Sequence, residues 1–160
     1  MCDRRLPEEP WNWWVIAAFL LAPVIPALVF SALFPAFNGL PGLFERIWRS
    51  WIVVVLFGGY VPAFAFGVPG YLILRLWKVP TLAICTLGGA AVAAFPWALL
   101  VLVSHGEGNN AWSDGGQVIA DGWLTWFGFI QSLQYIGGVA MLGGLGGAVF
   151  FLIASAGRPP

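Results

Sequence analysis

The chain has 160 residues, of which 60% are hydrophobic and only 9% charged, with a mean hydropathy of +0.87 and a formal net charge of zero. A water-facing surface needs more charge than this, so a soluble globular domain is excluded, and the dispersed basic residues offer no stripe that would neutralise a nucleic-acid backbone. The expected partner is the lipid bilayer, together with another membrane protein or further copies of the same chain, and no nucleic acid.

The segment before Trp11 mixes acids with bases, and the apolar run that follows is longer than the core of a signal peptide, so this run is expected to remain as a membrane span. A helix needs roughly 20 apolar residues to cross the hydrocarbon. Residues 13–34 meet that length before Pro35, Asn38, Gly39, Pro41 and Gly42 break the run. Phe44, Ile47, Trp48 and Trp51 then recur at helical spacing opposite the i,i+4 pair Glu45 and Arg49, which predicts a short interfacial helix. Uncharged runs place the second span at 51–74 and the third at 80–103, joined so briefly around Arg75 and Lys78 that the two must form a tight helical hairpin. Residues 104–121 read as a flexible polar loop in which Trp112 is an exposed aromatic, available for partner contact or for dipping back into the interface. The last uncharged run gives a fourth span at 126–155, longer than one crossing requires.

These runs lack the alternation of barrel strands, so the fold class expected is all-α, an integral membrane four-helix bundle forming one transmembrane domain over 1–160. Cytoplasmic loops carry the excess of Lys and Arg. One face collects Arg4, Arg5, Arg75, Lys78 and Arg158 against Arg46 and Arg49 on the other, which places both termini in the cytoplasm, the loop 104–121 outside, and Arg75 and Lys78 as cytoplasmic anchors. The tryptophans agree: Trp11, Trp13, Trp14 and Trp77 mark the inner interface, and Trp48, Trp51, Trp123 and Trp126 the outer one.

Small residues set the packing. Ala140, Gly144 and Ala148 repeat every four residues in span four, and Cys85, Gly89 and Ala93 do so in span three, a pattern that lets backbones approach closely. The expectation is that spans three and four pack together, or that one of them packs against a second chain. Pro23, Pro26, Pro62, Pro69 and Pro96 kink the first three spans.

The spans hold no Asp, Glu, Lys, Arg or His in their cores, which argues against a proton-coupled pump and against an intramembrane enzyme using a carboxylate or histidine. Gln131, Gln134 and Tyr135 share one helical face, and His105 and Glu107 lie at the outer end of span three; together they are the candidate polar ligand site or pore face. The sole histidine and two dispersed cysteines supply no metal site, and no cofactor or catalytic motif is read.

The segment Gly67-Val-Pro-Gly-Tyr-Leu-Ile-Leu-Arg resembles a G-x-P-x-Y-L-x-x-R pattern of small four-span bacterial inner-membrane proteins that have no assigned activity. The resemblance implies a bacterial inner-membrane location and supplies no function. Abundant packing motifs beside a lack of catalytic groups lead to the expectation of a non-enzymatic accessory or scaffold subunit acting through helix contacts. The alternative is a homo-oligomeric channel or facilitator for a small solute.

Overall fold

The computed structural model describes residues 13–76, 81–103, 110–113 and 115–156. Four of its helical segments, Trp13–Leu33, Leu43–Leu76, Leu82–Val103 and Trp126–Ala156, are long and apolar enough to cross a membrane.

Span one is two helices, α1 (Trp13–Leu21) and α2 (Val24–Leu33), with a break at Ala22 and Pro23. Pro23 and Pro26 each lack an N–H and crowd the carbonyl four residues back, so an uninterrupted helix is not available here. In a membrane, hydrocarbon would offer no water to satisfy the carbonyls around such a break. The neighbouring helix does so instead: the Tyr60 hydroxyl donates to the Leu20 carbonyl at 2.7 Å and the Trp51 indole N–H donates to the Val24 carbonyl at 3.3 Å. Tyr60→Phe keeps the ring and removes the first bond. It is expected to lower stability by about 1 kcal/mol, in the range of interhelical hydrogen bonds in membranes, measured by denaturant titration in detergent; unchanged stability would show that the carbonyl has another partner.

The turn after α2 is held by side chains of the next helix, α3 (Leu43–Val53). The buried Ser50 hydroxyl accepts the Ala36 N–H at 2.8 Å, while the Arg46 guanidinium donates to the Pro35 and Ala36 carbonyls at 3.3 and 3.4 Å and to the Asn38 amide oxygen. Phe37 takes a left-handed φ of 59°, which folds the chain back towards α3. Glu45 and Arg49 pair at 2.7 Å on the exposed side of α3.

The separate interfacial helix expected before span two is not separate. α3 runs on through π-helical turns at Val54–Tyr60 and Ala63–Gly67 into α4 (Val68–Leu76), a helical segment of 34 residues. The π turns have a local cause. They immediately precede Pro62 and Pro69, whose rings would press on the carbonyls of Gly58 and Ala65 in a regular α-helix; widening the turn relieves that clash. The bonds shift accordingly to five-residue spacing, from the Val61 N–H to the Leu56 carbonyl and from the Val68 N–H to the Ala63 carbonyl. A segment of this length spans roughly 50 Å at about 1.5 Å per residue, well beyond the hydrocarbon thickness of about 30 Å.

Span three is α5 (Leu82–Val103), with Pro96 inside it and the Thr81 hydroxyl accepting the Ile84 N–H at its start. Span four is α6 (Trp126–Ala156). Between them the expected flexible loop contains ordered structure: three short strands, β1 (Ala111–Ser113), β2 (Gly116–Ala120) and β3 (Trp123–Leu124), form an antiparallel meander in the order β1-β2-β3. Ala120 faces Trp123 across Asp121 and Gly122, which have φ of 48° and 82°, the doubly positive geometry of a tight hairpin turn.

The sheet sits on the first turns of α6. Thr125 caps the helix, its hydroxyl accepting the Gly128 N–H at 3.0 Å, while its own N–H donates to the Val118 carbonyl at 3.0 Å. Gln131 donates to the Ser113 hydroxyl at 2.8 Å, and Asn110 accepts from the Gln117 side chain and the Asp121 N–H. Trp112 is exposed on this cap.

Within the bundle, α5 and α6 form the most extensive pairing, α1 lies against α6, and α2 lies against α3. The buried core gathers at the Trp13 end: Val15, Ala18, Phe19, Tyr71, Cys85, Phe151 and Ala154 pack together with Val68, Phe150 and Ile153 against them.

Candidate functional site

Two features of the bundle carry functional interest, and both arise from how glycines are used. The first is the crossing of α5 and α6. A Cβ placed on Gly89 would lie 2.3 Å from the Gly143 carbonyl oxygen and 2.9 Å from the Gly147 Cα. One on Gly143 would meet the Ala93 Cβ and the Gly89 oxygen, each at 2.4 Å, and one on Gly147 would meet the Cys85 oxygen at 2.1 Å. The backbones therefore touch, and only glycine fits at positions 89, 143 and 147. Cys85, Gly89 and Ala93 supply the α5 side; the closest approach on α6 comes from Gly143 and Gly147, one register position away from the expected Gly144.

Ala140, Gly144 and Ala148 instead line a groove of about 400 Å³ beside the seam, with Thr86 and Ala90 as its opposite wall. A Cβ on Gly144, which is buried, would lie at ordinary contact distance from Thr86, 3.4 Å, and Ala90, 3.8 Å. Leu87 and Met141, both largely exposed, stand at the groove's edges.

The second feature is a central cavity of about 520 Å³ bounded by all four spans and walled almost wholly by apolar groups. Phe19, Tyr71 and Phe150 pack ring against ring at its Trp13 end, with centroids 4.7 to 5.8 Å apart; Phe30 and Trp97 line it towards the opposite end. The space is open along part of its boundary, and its apolar walls offer water little, so an apolar occupant would restore dispersion contacts that the bare walls lack.

The expected polar face is dispersed. Gln131 is turned towards the sheet through its bond to Ser113, whereas Gln134 and Tyr135 are exposed on the outer surface of α6. His105, Glu107 and Lys78 lie outside the described residues. Arg75 ends α4 at the Trp13 end; one of its guanidinium nitrogens is buried without a hydrogen-bond partner, as is the hydroxyl of Tyr71 one turn earlier. Cys85 is a buried free thiol. Among the described residues no group of three or more His, Cys, Asp or Glu side chains is placed to hold a metal ion. In comparisons with known proteins, no family model, no curated protein and no solved structure matches the chain.

Neither the cavity nor the register of the Gly143–Gly147 seam follows from the sequence. Both glycines were visible as a small-xxx-small pair, but adjacent pairs at 143/144 and 146/147 put two such faces on one helix. The cavity joins residues from four separated segments and has no linear signature.

Proposed function

We propose that the chain is a non-enzymatic accessory or scaffold subunit of a membrane, working through helix contacts, and that the membrane is the bacterial inner membrane with both termini in the cytoplasm. The observation that supports this reading is the division of small residues on α6: Gly143 and Gly147 are consumed by the seam with α5, while Ala140 and Ala148, half-buried on either side of the buried Gly144, line the groove beside it. A groove floored by small side chains admits a further transmembrane helix at close range, and in hydrocarbon such packing, not burial of apolar area, drives association. The occupant proposed is a helix of a different membrane protein. The excess of Arg4, Arg5, Arg75, Lys78 and Arg158 on one face over Arg46 and Arg49 on the other, and the resemblance of the 67–75 segment, support the orientation and the location.

The homo-oligomeric channel or facilitator is the second reading. Its support is the exposure of Gln134 and Tyr135 on the outer surface of α6, where copies of the chain would have to meet to give those groups a polar environment.

Native mass spectrometry of the protein extracted in nanodiscs from its own membrane separates the two. On the accessory reading the parent chain carries an unrelated membrane subunit in fixed stoichiometry, and Ala140→Leu, which fills the groove, releases it while the chain stays folded. A homo-oligomer unaffected by Ala140→Leu and dispersed by Gln134→Leu would replace that reading with the channel.

A further inference from the structure

The small residues that face the central cavity are not used as small residues normally are in membranes. Gly59 does bring helices together: a Cβ there would lie 2.9 Å from the Pro23 Cβ, so span two touches span one at this point. Further along the same wall the pattern continues with no partner. A Cβ on Gly70 meets nothing within 4 Å, one on Gly58 meets only Val54 of its own helix at 3.7 Å, and one on Gly88 of α5 reaches only the Leu74 tip at 4.0 Å. All three glycines line the cavity. Glycine opposite open space contributes no contact and weakens its helix, which makes sense where the space belongs to an occupant.

The walls are held apart by fixed points. The α5–α6 seam is rigid because its backbones touch, and span two is tied to span one by the Tyr60 and Trp51 hydrogen bonds. The cavity therefore cannot close by a simple sliding of one helix, and its lining, apart from a few polar atoms, offers nothing to water. A second observation gives the occupant its polar end. Tyr71, only 5% exposed, forms part of the cavity wall and its hydroxyl has no hydrogen-bond partner. Leu74 continues the wall; Arg75, outside the lining but one turn after Tyr71 on the same face of α4, holds a guanidinium nitrogen that is also buried and unpartnered. Buried donors without partners are costly, and a cation most of all.

We infer that the cavity is a binding site for one acyl chain of an anionic membrane phospholipid, with the chain filling the space beside Gly58, Gly70 and Gly88 and the phosphate region engaging Arg75 and Tyr71. An acyl chain restores the dispersion contacts that the empty walls forgo, and a phosphate oxygen accepts the charge-assisted bonds that Arg75 lacks within the chain. The lipid site shares no residue with the groove beside the α5–α6 seam, so loss of one leaves the other intact.

The test is native mass spectrometry of protein purified in detergent and re-supplied with either phosphatidylglycerol or phosphatidylcholine at equal concentration. The parent chain is expected to retain one phosphatidylglycerol and to prefer it to phosphatidylcholine. Gly70→Leu and, separately, Gly88→Leu are expected to abolish this one-to-one adduct while melting at or above the parent's temperature, because the added side chains occupy the void. Two variants guard against one failing to fold. Arg75→Gln is expected to keep an adduct and lose the preference for the anionic lipid. Equal retention by the parent and both leucine variants would overturn the site, since lipid bound elsewhere on the surface is indifferent to the cavity; equal retention of the two lipids by the parent would overturn the role of Arg75.

Discussion

Gly147→Val is expected to destabilise the bundle by about 3 kcal/mol, towards the upper end of what overpacking costs in a tightly packed core. The obstacle is backbone and not a movable side chain: the Cβ alone would sit 2.1 Å from the Cys85 oxygen, 2.8 Å from its carbonyl carbon and 3.1 Å from the Thr86 Cα. No rotamer relieves this, so α5 and α6 must separate along their most extensive contact. Gly138→Ala is the control on the same helix. Nothing lies within 4 Å of its Cβ position, and an alanine in place of an interior helical glycine contributes about 0.5–1 kcal/mol of stability. Unfolding in graded mixtures of mild detergent and dodecyl sulfate measures both; similar small effects at 147 and 138 would mean that the seam is not closed in the bilayer.

Gly128→Val is expected to have a large but local effect. Its Cβ would lie 2.1 Å from the Val118 carbonyl oxygen and 2.9 Å from the Val118 side chain, so β2 must lift off α6. Lifting it breaks the bond from the Thr125 N–H to Val118 and separates Gln131 from Ser113. Hydrogen exchange at 116–120 should rise by at least tenfold, equivalent to losing about 1.4 kcal/mol of local protection, while amides of Ile136 to Ala156 stay protected. Loss of protection throughout α6 would contradict the description of the sheet as a cap resting on an independently stable helix.

Three of the four long apolar helices are legible as charge-free runs of membrane-crossing length, while the second begins at Leu43, eight residues before the expected 51–74, because α3 with its Glu45, Arg46 and Arg49 runs on into it. Local chemistry inside them was only partly legible. Pro62 and Pro69 announce disturbance in span two, but whether a helix answers a proline with a kink, a break or a π turn depends on its neighbours, and span one breaks where span two widens. The sheet was missed although Asp121-Gly122, between segments that pair as β2 and β3, is a hairpin signal; the polar, glycine-rich composition of the loop hid it. The seam differed by one register position because α6 offers two adjacent small faces, and which one meets α5 is decided by the rest of the bundle. The gathering of Gln131, Gln134 and Tyr135 into one site did not follow from their shared spacing, since Gln131 is drawn to Ser113 and the other two remain exposed.

The accessory role rests on a division of labour on α6, where Gly143 and Gly147 close the seam with α5 while Ala140 and Ala148 line the neighbouring groove. Its most direct test is photocrosslinking in the native membrane from a photoreactive residue placed at Met141 or Leu87, the two exposed positions flanking the groove. A discrete adduct with a different membrane protein is expected, and it should disappear when Ala140→Leu fills the groove; adducts only with lipid, or only with a second copy of the chain, would rule out a foreign helix in the groove.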